Sequence, residues 1–203
     1  MIEQSLYPKT KRICDKSSRI CINEKLDGSN LGFFKWDGHL WVAQRNRIFR
    51  LDELEHCTYR GLKGFLEYRG EKLQAELHEN ACVFGEWLGM GQISYPEEMA
   101  RFQQFCKCNV DINEHDEFIV KRKYYNHGLF KWSYTSQVQP EFIGTVPNVT
   151  IVDKMPSVEA LDELYDFYCT KVERKVEGFV INNQDVISKY VRLKNGKPSA
   201  HKS

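Results

Sequence analysis

The chain has 203 residues, 41% hydrophobic and 13% aromatic, which is enough apolar surface for a sizeable core without covalent staples. A mean hydropathy of −0.55 and no apolar run near ~18 residues point to a soluble protein, and the start MIEQSLYPKTKR lacks the apolar core of a secretory signal. The net charge of +1 conceals an uneven distribution: residues 1–50 carry ten Lys/Arg against five Asp/Glu, residues 171–203 eight against three, and the stretch between them eleven against twenty.

Arg19–Glu24 alternates apolar and polar residues like a half-buried strand. Leu31–Trp36 and Leu40–Gln44 follow as a hairpin across Asp37-Gly38. From Leu51 to Glu79 the spacing turns helical, with Leu62, Phe65, Leu66, Leu73 and Leu77 on one face and Gly61, Gly64 and Gly70 weakening it. Ala81–Trp87 reads as a strand. Arg101–Val110 fits either a helix begun at Pro-Glu-Glu-Met or a strand through Phe-Gln-Gln-Phe. Glu117–Tyr125 and Leu129–Tyr134 form a second antiparallel pair.

Ser157 caps a short amphipathic helix (SVEALDELYDFY) with Val158, Leu161, Leu164 and Tyr165 on its apolar face. Val176–Asn182 and Val186–Leu193 make a last hairpin across Asn183-Gln184-Asp185. This order of elements predicts an antiparallel α+β fold. The seven cysteines are scattered and none shows C-x-x-C spacing, which favours a reducing cytoplasm over a disulfide framework or structural metal. His39, His56, His78, His115, His127 and His201 share no ligand spacing.

The sharpest chemical signal is Glu24-Lys25-Leu26-Asp27-Gly28-Ser29-Asn30 at a strand end. Lysine is inert as an ammonium, so a nucleophilic Lys25 needs cationic neighbours or desolvation, while Asp27-Gly28 supplies a turn that lets backbone approach a ligand. Alone, the segment reads equally well as a charged turn. Further on come Arg45, Phe84-Gly85-Glu86-Trp87, Val176-Glu177-Gly178-Phe179-Val180-Ile181 and Ser188-Lys189-Tyr190-Val191-Arg192. A carboxylate inside an apolar strand is costly unless it is paired, so Glu177 faces a ligand, a cation or Lys25.

These elements, in this order over residues 24–192, resemble the covalent nucleotidyltransferases: DNA ligases, RNA ligases and capping enzymes. Glu24 and Asn30 flanking the Lys-x-Asp-Gly core, with Arg45 beyond, resemble the double-strand-sealing and RNA-editing type of RNA ligase. The resemblance implies an α+β, antiparallel-sheet (ATP-grasp-like) nucleotidyltransferase domain that uses ATP and Mg²⁺ or Mn²⁺ to seal 5′-phosphate and 3′-OH RNA ends through a lysyl-AMP. It implies Lys25 as nucleophile, Glu24 on the adenine amino group, Phe105 stacked on adenine and Glu86 on the ribose. Asn30 and Arg45 would hold phosphates, Glu177 would bind or position the metal, Lys189 would contact the α-phosphate, and Arg192 belongs to the same ATP-binding set.

The chain departs from the family in having Phe105-Cys106-Lys107 where aromatic-Asp is frequent, and in leaving the register of the last lysine element between Lys189, Arg192 and Lys194. Eleven residues after Arg192 leave no room for an OB-fold or helical domain, so 1–203 is expected as one nucleotidyltransferase domain. Expected partners are RNA ends, with a nicked duplex and a separate end-recognition protein left open, and no membrane. Expected location is the cytoplasm, of a cell or of a virus's host. A GTP-using capping guanylyltransferase and a binding module without catalysis are the rival readings. Tyr124, Tyr125, Trp132 and Tyr134 beside Lys121, Arg122, Lys123 and Lys131 could stack bases, or simply pack a hairpin.

Overall fold

The computed structural model of the chain describes residues 1–7, 20–122, 142–182, 187–194 and 197–198. It divides into a first unit, Met1–Pro8, Gly28–Met90 and Pro96–Thr145, and a second unit, Lys9–Asp27, Gly91–Tyr95 and Val146–Ser203. Among the described residues no helix is long and apolar enough to cross a bilayer.

In the second unit, β1 (Ile20–Lys25) lies between β9 (Asn148–Val152) and β10 (Gly178–Asn182), and β11 (Ile187–Val191) flanks β10; every pair is antiparallel. Ile20 and Ile22 of β1, with Phe179, Ile181 and Tyr190, form a core against Leu161, Tyr165 and Tyr168 of helix α2 (Val158–Val172). The Ser157 hydroxyl caps that helix, accepting from the Ala160 amide at 3.2 Å. The helix runs one turn beyond the expected Tyr168 and stops at Glu173, in the left-handed region at φ 53°.

The first unit is a sheet in the order β4 (Arg47–Arg50), β3 (His39–Gln44), β2 (Gly28–Trp36), β5 (Ala81–Leu88), β6 (Phe102–Ile112), β7 (Phe118–Arg122). Asp37 and Gly38 have φ of 51° and 72°, the paired left-handed geometry of a tight hairpin turn, as their sequence predicts. One sheet face, with Leu31, Phe33, Val83, Trp87 and Phe102, packs on α1 (Leu62–Glu76) through Leu62, Leu66 and Leu73. The other face, with Phe34, Ala43, Phe84, Cys108 and Phe118, is joined by Leu6.

Three readings gain detail. The helical stretch 51–79 contains α1 and only a single 3-10 turn (Leu54–His56) before it. Of the two readings of Arg101–Val110 the strand holds, with β6 beginning at Phe102 and a one-turn contact from the Met99 amide to the Pro96 carbonyl where a helix could have begun. The sheet is not wholly antiparallel: β7 occupies β6 only from Asn109 to Ile112, and β8 (Ile143–Thr145) runs parallel along the edge left at Phe102–Gln104. The expected strand 129–134 and its aromatic residues lie outside the described residues.

Candidate active site

Side chains alternate along a strand, and in β1 that alternation separates the two charged residues at its end. Ile20, Ile22 and Glu24 face α2; Cys21, Asn23 and Lys25 face the other way. Lys25 pairs in register with Gly178 of β10, and its Nζ lies 2.6 Å from Glu177 Oε2. Lys189 of β11 sits opposite Val180, which itself pairs with Asn23, so Lys25 and Lys189 share this face. Burial raises the Glu177 pKa above the ordinary carboxylate range; Lys25 pulls it back, Asp27 adds to the rise and Lys189 opposes it. A lysine nitrogen is thereby held against a partly buried carboxylate whose affinity for a proton is enhanced.

Asp27 does more than make a turn. Its Oδ2 accepts from the Gln92 amide at 2.6 Å and the Ile93 amide at 3.0 Å, and its own amide donates to the Tyr95 hydroxyl at 2.6 Å. These bonds latch Gly91–Tyr95 onto the segment after Lys25. A Cβ at Gly91 would meet Asp27 Cγ at 2.2 Å and its carbonyl oxygen at 2.4 Å, so no larger residue fits without moving the latch.

Glu24 is 1% exposed. Arg174 Nη1 and Nη2 each donate to it at 2.6 Å, one to each carboxylate oxygen, and the Tyr168 hydroxyl donates to Oε2 at 3.0 Å. Both oxygens implied by resemblance for adenine are engaged on the α2 side of the sheet. Arg192, implied for ATP, donates to Asp162 of α2, which also accepts from the Tyr190 hydroxyl, and its guanidinium lies 5.3 Å from the Tyr165 ring centroid. The structure thus joins Lys25, Glu177 and Lys189, and sets Glu24 and Arg192 apart from them in contacts with α2 and the turn that follows it.

The remaining expected residues lie in the first unit. Asn30 of β2 pairs directly with Glu86 of β5, so their side chains share a sheet face. Phe105 of β6 is 39% exposed, with Tyr7 edge-on at 5.3 Å and Phe84 edge-on to Tyr7 at 4.9 Å. The Tyr59 hydroxyl donates to the Asn30 carbonyl at 2.9 Å and accepts from the Arg45 amide at 3.0 Å, drawing these two expected phosphate ligands to one anchor. Arg45 itself is exposed at the β3–β4 turn. Tyr7, Tyr59, Tyr168 and Arg174 escape a reading of the sequence for site residues, and only the aromatic richness of the chain hints at the three tyrosines.

Among the described residues no cluster of three or more His, Cys, Asp and Glu side chains forms a ready-made metal cage. A hard divalent cation that shares phosphate oxygens and water needs only one or two protein carboxylates, and Glu177 offers the right donor type. Asp27 acts on Glu177 electrostatically, which adds negative charge for such an ion.

Comparison with known proteins bears on this arrangement. A family model described as RNA ligase matches residues 18–194. An archaeal ATP-dependent RNA ligase shares the fold with a TM-score of 0.53 at 14% identity, over 92% of this chain and 48% of that one. A Naegleria gruberi RNA ligase mutant with AMP and Mn gives 0.51 at 17% identity, over 87% and 50%. An apo mutant of a Naegleria gruberi RNA ligase gives 0.50 at 14% identity, over 93% and 58%. This chain therefore spans about half of those chains' length. No curated protein matches it. The family match takes in β1 through β11 and every expected site residue from Glu24 to Arg192, so the chain belongs to the RNA ligase family.

Proposed function

We propose that the protein is an ATP-dependent RNA ligase domain in which Lys25 carries AMP as a covalent intermediate. The observation that carries this reading is the Lys25–Glu177 pair at 2.6 Å, with Lys189 on the same sheet face. The ATP-dependent archaeal relative and the Naegleria gruberi structure with AMP and Mn support ATP and a divalent ion as the reagents.

In this reading Glu177 holds and orients Nζ through the 2.6 Å contact, and the ammonium proton is released to solvent before attack. The freed lone pair attacks the α-phosphorus, a P–N bond forms, and the P–O bond to pyrophosphate breaks. A divalent ion held by Glu177 would supply charge neutralisation for the phosphates. Lys189 balances negative charge building on the α-phosphate. AMP then passes to an RNA 5′-phosphate as the P–N bond breaks, and attack by a 3′-OH forms the phosphodiester and expels AMP. Asn30, Arg45, Glu86 and Phe105 are proposed to contact phosphates, ribose and base, the exposed Phe105 ring by stacking. The substrates are RNA ends, with a nicked duplex as the arrangement that holds both ends together, and the reducing cytoplasm of a cell or host is the proposed location.

Incubation with α-labelled ATP or GTP and Mg²⁺ or Mn²⁺, followed by a denaturing gel, tests the reading. Label from ATP that survives denaturation and disappears in Lys25→Ala is expected. Labelling by GTP alone would support the capping reaction, and no covalent label from either nucleotide would leave a binding module.

A further inference from the structure

The side chain of Glu24 has no solvent exposure, yet it immediately precedes a lysine on the reactive face. An ionised carboxylate in such a place requires near-complete compensation. It receives a guanidinium fork, both arms at 2.6 Å, and a phenol at 3.0 Å. Arg174 stands in the short turn after α2, where Nη1 also reaches the Lys175 carbonyl at 3.3 Å. Its guanidinium carbon lies 5.0 Å from the Tyr95 ring centroid, within cation–π range. Tyr95 in turn accepts from the Asp27 amide. One guanidinium therefore links the end of β1, the turn after α2, and the loop latched to the Lys-x-Asp-Gly segment.

Apolar residues could bury the same volume at lower desolvation cost. What a planar fork adds is direction, because two parallel N–H bonds hold a carboxylate in one orientation where a single contact would let it turn. Glu24 is one peptide away from Lys25 and on the opposite face, so rotation of the strand end about its own axis swings Nζ sideways. Nucleophilic attack tolerates little of that: a shift of about 1 Å can cost about 100-fold in rate.

We infer that Arg174 is a positioning residue for nucleotidyl transfer, acting through Glu24 and Tyr95 to fix the direction of Lys25 and the shape of the Lys-x-Asp-Gly segment, without touching ATP. The inference rests on the reading of Lys25 as the nucleophile. It assigns Glu24 to the same brace, in contrast to the adenine contact that family resemblance implies for it.

The decisive variant is Arg174→Lys, which keeps the charge and loses the fork; Arg174→Ala and Glu24→Gln accompany it. Single-turnover self-adenylation is followed across ATP concentrations in each folded variant, alongside modification of Lys25 by an amine-reactive ester, read by mass spectrometry against the other lysines. Arg174→Lys should lower the maximal rate by about 10- to 100-fold while half-saturating ATP moves less than about threefold. Lys25 modification should change several-fold while the remaining lysines stay constant. If half-saturating ATP rises and the maximal rate holds, Glu24 and Arg174 bind the base and the inference is overturned. A wild-type maximal rate in Arg174→Lys overturns it as well. A wild-type protein that never takes label defeats the ligase reading instead; the ester then decides alone, and unchanged Lys25 modification in Arg174→Lys overturns the positioning role.

Discussion

Glu24 and Lys25 are consecutive in the chain and point to opposite faces of one sheet, Glu24 to Arg174 and Tyr168, Lys25 to Glu177. The two ion pairs serve different ends. The first ties β1 to α2 and the turn after it; the second ties β1 to the start of β10.

Lys25→Ala should remove more than reactivity, since it leaves the Glu177 carboxylate, 14% exposed, without its cation. A hydrogen bond to a charged group is worth roughly 1.5–3 kcal/mol, so a loss of about 1–2 kcal/mol in urea unfolding at neutral pH is expected. The Lys25→Ala/Glu177→Gln double variant should recover most of it, because no uncompensated charge remains. Additive losses in the double variant would show that the pair is not coupled.

The raised Glu177 pKa fixes the sign of a pH effect. Between the ordinary glutamate value of about 4.3 and the raised folded value, the folded chain holds more protons than the unfolded one. Stability contributed by this group is therefore complete below the ordinary value and declines as pH rises through the folded value. Glu177→Gln lacks that slope. The stability of wild type relative to Glu177→Gln should fall from pH 4 to pH 7, and parallel pH curves would disprove it.

Tyr59→Phe deletes one hydroxyl that serves two backbone groups, the Asn30 carbonyl and the Arg45 amide. A cost of about 1–2 kcal/mol is expected from thermal melting. Weaker half-saturation by ATP should accompany it if Asn30 and Arg45 hold phosphates. Unaltered melting would show that solvent replaces the hydroxyl without penalty.

Gly28 of the Lys-x-Asp-Gly segment is fixed by its neighbours in the sheet: a Cβ there would meet the Trp87 carbonyl oxygen at 2.5 Å and Glu86 Cγ at 2.8 Å. Gly28→Ala must push β2 from β5 and should cost about 1–3 kcal/mol. Asp27→Ala should act elsewhere, speeding hydrogen exchange of the Gln92 and Ile93 amides that its carboxylate holds. Protection of those amides at wild-type level in Asp27→Ala would dismiss the latch.

Local periodicity made β1, the β2–β3 hairpin and the capped helix α2 legible, because each buries one face and shows it in the spacing of its apolar residues. Strand β4 was overlooked because Arg47 and Arg50 flank a two-residue apolar centre, and β8 because three residues carry no period. Lys25 and Glu177 stood out by motif. The burial of Glu24 is readable too, in phase with Ile20 and Ile22, but the family resemblance implies a ligand for it instead. Its partners Tyr168 and Arg174 lie 144 and 150 residues away, and no local pattern announces a pairing set by tertiary structure.

Those separations also order events during synthesis. Lys25 meets Glu177 across 152 residues, and among the described residues β1 pairs with β9 and β10, both encoded in the last third of the chain. Closing so long a loop is entropically unfavourable and slow compared with local hairpins. A growing chain can form the β2–β3 hairpin while β1 still has two bare edges, open to pairing with other chains. Translation must pass Glu177 before Lys25 has its carboxylate partner, so this pair forms later than the β2–β3 hairpin.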